Sequence, residues 1–255
     1  MASPTAALQL ITKYKYFQAE YYRRALQVFP DGFSPGRLAV VSQIAKHEAA
    51  HVVQLRQLLG ADAPAQPAPD TVYDYSAGAG TGTGPFAGAL DPASVNRNDF
   101  FKLAQLIEDF GLRVIKGQLP DLLTDPNKLA IAAQLNSVEG RHASEIRVMR
   151  GGTSQNLVTI STTAFATNIF PWITNSVTSI YDAAYTGTAT DLNTQSGVAA
   201  LVYGLVTVGA DRLTRPTDSE SNPSQRGYAP ASAEAFDEPV ATAAVETFLA
   251  RFGVV

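Results

Sequence analysis

The chain has 255 residues, 45% of them hydrophobic and 16% charged, a composition that fits a folded protein with a sizeable core. Its net charge of −4 and pI near 5.4 argue against a nucleic-acid binder, which would carry a basic face. The absence of cysteine excludes disulfides, iron–sulfur clusters, zinc fingers and thiol catalysis.

Four long segments open with a small capping residue followed by proline: Ser3-Pro4, Ser34-Pro35, Asp91-Pro92 and Asp125-Pro126. Ser or Asp at the N-cap accepts an orphan helix N–H, and proline is preorganised for the first helical position. Pro30 with Asp31-Gly32, then Gly60, then Gly117 with Pro120, then Gly151-Gly152 supply the stops. The spacing predicts helices over 4–29, 35–59, 92–117 and 126–150, each about 25 residues or roughly 37 Å long. Short turns join the first to the second and the third to the fourth, which makes two antiparallel hairpins. Residues 61–90 are rich in Ala, Pro and Gly and read as a flexible crossover that runs the length of a bundle, leaving the second and third helices parallel. The glycine run 78–84 lacks the Lys-Ser/Thr ending of a phosphate-binding loop. Beyond it, 153–255 reads as a helical and loop extension. Helices are expected near 163–184, 195–213 and 240–252, and a loop over 214–239. The apolar stretch Val198–Val208 needs cover, either on the bundle or in a homodimer contact. The predicted architecture is therefore all-α: a four-helix bundle over 1–152 with a C-terminal extension over 153–255.

The second predicted helix carries the seam Val41, Ile44, Leu55, Leu58, and the positions between fall on Glu48 and His51. The fourth carries Ala132, Leu135, Ile146, Met149, and the positions between fall on Glu139 and His142. Two of the three histidines thus lie three residues after a glutamate, inside an apolar stripe. On the third helix Glu108 follows the seam Phe101, Ala104, Gly111, Ile115. Counted from the opening prolines, Glu20 and Glu108 share one offset, and Glu48 and Glu139 share another. This repeat adds Glu20 to the set, against the alternative of a surface pair with Arg24. Buried together, four carboxylates would cost several kcal/mol each, and two divalent ions would neutralise them. Oxygen and imidazole ligation suits iron or manganese and admits zinc as a substitute.

Other readings attach to neighbouring residues. Gly111 leaves either space for an oxidant or room for close helix packing. Tyr16, Tyr21 and Tyr22 flank Glu20 as core or rim aromatics that could also donate hydrogen bonds or electrons. Gln105 and Asn136 are candidates for outer hydrogen bonds to the ligands. His47-Glu48-Ala49-Ala50-His51 also fits the zinc-metalloprotease pattern His-Glu-x-x-His. That reading needs a third ligand, but Gln54 and Gln57 stand where the extended pattern wants Gly and His. It also leaves Glu139 and His142 unexplained, and His47 becomes a polar residue beside the seam.

The chain resembles the ferritin-like domain family, within it the bacterial stress proteins and plant desiccation-related proteins. The residues that carry the resemblance are Phe17-Gln18-Ala19-Glu20-Tyr21-Tyr22-Arg23-Arg24-Ala25-Leu26, Lys46-His47-Glu48-Ala49-Ala50-His51, Glu108-Asp109-Phe110-Gly111 and Glu139-Gly140-Arg141-His142, with Phe236-Asp237-Glu238-Pro239 in the tail. The resemblance implies a four-helix bundle with a two-metal centre held by Glu20, Glu48, His51, Glu108, Glu139 and His142. The expected function is a di-iron or di-manganese oxidoreductase acting on O2 or H2O2, ferroxidase-, peroxidase- or catalase-like, in stress protection. The alternative is a non-catalytic protein that metals stabilise. No membrane span is expected, since no run reaches about 18 apolar residues. The compartment is cytoplasmic by default, or extracytoplasmic if a signal peptide was removed.

Overall fold

The computed structural model describes residues 2–68, 71, 73–84, 86–93, 97–150 and 240–254. The expected helices near 163–184 and 195–213, the loop 214–239, the Phe236–Pro239 motif and the cover of Val198–Val208 lie outside the described residues. Five α-helices are described: α1 (Pro4–Val28), α2 (Pro35–Leu59), α3 (Asn98–Gln118), α4 (Pro126–Met149) and α5 (Thr242–Ala250). Short 3-10 turns follow α2 at Gly60–Asp62 and α3 at Leu119–Leu122. None of the described helices is long and apolar enough to cross a membrane.

The caps act where the sequence puts them on α1 and α4. Ser3 Oγ accepts from Ala6 N at 3.1 Å, and Asp125 Oδ1 accepts from Lys128 N at 3.1 Å, each with proline at the next position. The third start is different. Asp91 Oδ1 accepts from Ala93 N at 2.8 Å, which closes a turn inside the loop. Arg97 then takes φ 54°, a left-handed value that interrupts any helix, and α3 begins at Asn98 rather than Pro92.

Contacts fix the helix directions. Lys15 meets Glu48 while Gln9 Nε2 donates to Asp62 O, so α1 and α2 are antiparallel. Tyr14 Oη donates to Ile107 O and Tyr21 Oη to Phe100 O, so α1 and α3 are also antiparallel. Arg147 bonds Asp109 and Arg150 bonds Gln105, which sets α4 against α3. It follows that α2 and α3 are parallel, and the crossover between them runs the length of the bundle. That crossover is ordered at its glycine run. Asp74 accepts from Ser76 N, Gly80 N and Gly82 N at 3.1, 2.7 and 3.2 Å. These amides are therefore engaged by the chain's own carboxylate. Asp74 N and Ala79 N also donate to Phe252 O and Arg251 O, tying the loop to the residues after α5. Val245, Leu249 and Phe252 are buried, and Phe248 stacks on Phe110 with centroids 4.1 Å apart. A Cβ at Gly117 would come within 2.1 Å of Val240 O, so glycine is required where the C-terminal segment crosses α3.

Two apolar clusters fill the bundle. One holds Ala7, Leu8, Ile11, Leu55, Leu59, Ile115, Leu122, Ala132 and Leu135. The other is larger and aromatic, built around Tyr21, Tyr22, Phe29, Phe33, Phe100 and Phe101, with Val41, Ile44 and Ile146. On α2 and α4 the seam runs from one cluster to the other, and the residues between are Glu48, His51, Glu139 and His142.

Candidate metal centre

The polar layer lies where the apolar seams are interrupted. Glu48, Glu108 and Glu139 are fully buried, and His51 and His142 nearly so. One ligand atom from each of Glu48, Glu108, Glu139 and His142 lies within 4.8 Å of the others. His142 Nδ1 is 3.1 Å from Glu48 Oε1 and 3.4 Å from Glu108 Oε2. His51 Nδ1 is 3.5 Å from Glu48 Oε1 and 3.8 Å from Glu139 Oε1. Five of the six expected ligands are thus brought together.

Glu20 is not among them. Its carboxylate makes a bidentate pair with Arg23, Nε and Nη2 each at 2.6 Å, at the rim of an outer groove between α1, α2 and the crossover. The reason is register. The offset repeat counted both helices from their prolines, but α3 does not begin at Pro92. The seam of α1 runs Leu8, Ile11, Lys15, Gln18, Tyr22, Ala25, at steps of three and four, and all six residues are buried. Glu20 lies off this stripe. The α1 side chains that enter the polar layer are Lys15 and Gln18. Lys15 Nζ is 2.8 Å from Glu48 Oε2 and ion-paired with Glu139. Gln18 Nε2 donates to Glu139 Oε2 at 2.9 Å. The three-and-four rule applied to α1 finds both residues.

The neighbours are settled by contacts. A Cβ at Gly111 would come within 2.8 Å of both Gln18 Nε2 and Glu139 Oε2, so this glycine admits the Gln18–Glu139 bond and the space is filled. His47 is engaged: its Nδ1 is 3.0 Å from His142 Nε2, and the two rings stack with centroids 5.2 Å apart. Which ring donates depends on the tautomer. Gln105 accepts from Arg150. Tyr16 Oη accepts from Arg56 Nη1 and donates to Pro64 O, which anchors the crossover. Asp109 and Arg147 form a buried pair beside Glu108 that sequence reasoning did not find.

The charges are strongly coupled. Burial works to discharge Glu48, but the Lys15 ammonium and the histidine rings overcome it and hold its carboxyl well below the usual range. Burial and the Glu48 charge push Glu139 up to about 8. Burial opposes the charging of His142, yet the Glu108 and Glu48 carboxylates close to its Nδ1 raise it to about 10. Burial likewise opposes the Lys15 charge, but Glu139, Glu48 and Glu108 together raise it above its ordinary value. Burial, with Glu108 nearby, keeps the Tyr22 phenol protonated.

The ferritin-like domain family matches residues 4–152, more than half of the chain. The chain belongs to this family. No curated protein and no solved structure matches it. A metal, which the family implies, can be tested against the residues present. Glu48 Oε1, both oxygens of Glu108, His51 Nδ1 and His142 Nδ1 are buried without a hydrogen-bond partner, and Glu139 Oε1 lies against the Lys15 ammonium. Buried polar atoms without partners are rare and costly. A divalent cation would satisfy these atoms together, since carboxylate oxygens and imidazole nitrogens are its ordinary ligands. The ferritin-like bundle and its buried Glu/His group therefore fit divalent metal binding.

Proposed function

We propose that the chain is a metal-dependent oxidoreductase of the ferritin-like class. It acts on O2 or H2O2 with iron or manganese held by Glu48, Glu108, Glu139 and His142, and with His51 alongside. The observation that carries this reading is the convergence of unpartnered carboxylate and imidazole atoms in a layer sealed by apolar clusters at both ends. Bound iron or manganese would supply the change of oxidation state that O2 or peroxide chemistry requires.

The chain's own residues position the site. Gln18 and Lys15 fix the Glu139 carboxylate, and Lys15 also fixes Glu48. His47 engages Nε2 of His142, which leaves Nδ1 directed at Glu48 and Glu108. The clusters above and below exclude bulk water, which strengthens every electrostatic contact in the layer. Tyr22, buried and held protonated by burial and the nearby Glu108 carboxylate, could donate a hydrogen bond or an electron at the site.

The test loads the full chain with ferrous or manganous ion under nitrogen and removes the excess. Ferrous oxidation by O2 and loss of H2O2 are then followed. Turnover is expected in the wild type, with none in His142→Ala. A second reading is favoured by the complete burial of all three carboxylates: a metal that serves as a staple and contributes folding energy. A loaded centre that leaves both substrates unchanged, but raises the unfolding temperature, would establish that reading instead.

A further inference from the structure

The two hairpins present equivalent seams to the polar layer but not equivalent charges. On α3 the seam runs Phe101, Ala104, Glu108, Gly111, Ile115; on α1 it runs Leu8, Ile11, Lys15, Gln18, Tyr22. Glu108 and Lys15 occupy corresponding places, one anionic and one cationic. Lys15 is completely buried, its Nζ 2.8 Å from Glu48 Oε2 and in contact with Glu139. An isolated ammonium is expensive to bury, by several kcal/mol even after relaxation, so its partners must compensate it.

The donors divide into two groups. Glu48 Oε2 and Glu139 Oε1 are committed to Lys15, and Glu139 Oε2 to Gln18. Glu48 Oε1, both oxygens of Glu108 and His142 Nδ1 have no hydrogen-bond partner. The charges divide the same way. With the ligands deprotonated, as ligation requires, three carboxylates less one ammonium leave −2, the charge that a single divalent ion offsets. A second such ion would leave the buried layer with excess positive charge, close to the ammonium.

We propose that the Lys15 ammonium takes the place of one cation of a metal pair, so that the centre binds one divalent ion rather than the two expected from the sequence. Glu48, Glu108, Glu139 and His142 hold that ion, and Lys15 is a positioning residue that fixes one oxygen each of Glu48 and Glu139. The proposal rests on the metal-binding reading above and deepens it.

Manganese content and manganese EPR of the full-length chain test it without recourse to activity. After loading with Mn(II) and desalting, the wild type is expected to retain about one ion per chain, with the hyperfine pattern of an isolated ion. Lys15→Glu, which restores a carboxylate on α1, is expected to retain about two per chain and to show a spin-coupled pair. Two ions per wild-type chain would overturn the role given to Lys15 and leave the metal-binding reading standing. No ion in either protein would overturn both. No ion in the wild type with uptake by Lys15→Glu would show that the ammonium fills the site alone, and would overturn the one-ion centre. A count that stays at one in a folded Lys15→Glu variant would overturn the claim that the ammonium is what excludes a second ion. If Lys15→Glu does not fold, as circular dichroism would reveal, the wild-type count and spectrum decide.

Discussion

The α1–α2 hairpin and the α3–α4 hairpin are built on one plan and differ in chemistry at the two first-helix seam positions that face the polar layer. Each supplies a Glu-x-x-His from its second helix, and in both the glutamate is buried with the histidine beside it. From the first helix, however, one supplies Lys15 and Gln18 where the other supplies Glu108 and Gly111. The second difference serves the first. Gly111 has no Cβ, and the room it leaves holds the Gln18 amide against Glu139. What the comparison teaches is that a repeat can be kept in backbone and register while its charge is inverted on one side. The inverted side then acts as a resident cation for the other.

The largest expected effect comes from removing that cation. Lys15→Met leaves three buried carboxylates without their ammonium and should destabilise the metal-free protein by about 3–5 kcal/mol. Added Mn(II) should recover much of the loss, which urea unfolding with and without metal would measure. Arg147→Met, on the other hairpin, breaks the buried pair with Asp109 at a similar cost of about 3–5 kcal/mol. Here metal should restore little, because the pair is complete without one; equal rescue of the two variants would erase the distinction between them.

Gly111→Ala tests the packing of one hairpin into the other. Its Cβ would lie within 2.8 Å of Gln18 and Glu139, and overpacking of this kind costs about 1–3 kcal/mol. Combining it with Gln18→Ala should cost less than the two changes summed, since the clash with the amide is removed and only that with Glu139 and Tyr14 is left. Additivity in a double-mutant cycle would mean that the two residues do not meet.

The metal-free protein should also lose stability as pH rises from 6 to 9. Glu139 is raised from 4.5 to about 8 by burial and the Glu48 charge, so its contribution is complete below the unfolded value and lost as pH passes 8. His142, raised from 6.5 to about 10 against the effect of burial, contributes in the same direction over a higher range. Glu48, held low chiefly by Lys15 against its burial, works the opposite way only in acid. Unfolding temperatures of the chelated protein that rise between pH 6 and 9 would contradict this assignment. The smallest effect is expected at Glu20. Its pair with Arg23 is partly exposed, so Glu20→Gln should change stability by about 0–1 kcal/mol and leave metal content unchanged.

Much of the site was legible because helical periodicity is a local property. The seams of α2 and α4 predicted that Glu48, His51, Glu139 and His142 face inward, and burial places them there. Glu108 followed from the same rule. Glu20 did not, because its assignment relied on an offset from Pro92, and that proline opens a loop turn rather than a helix. Arg97, in the left-handed region, sets the true start, and nothing in its residue type announces that conformation. The ordering of the glycine run by Asp74 was illegible for a related reason. It depends on amides up to eight residues away folding back onto one carboxylate.

The sequence by itself determined the all-α class, the caps of α1 and α4, the long crossover and five side chains directed at the bundle axis, since each follows from spacing along a single helix or from a residue beside its end. Only the tertiary structure decided what faces those five across the axis. The charge opposite a carboxylate is set by the register between helices distant in the chain, and here that register brings Lys15, not Glu20, against Glu48 and Glu139.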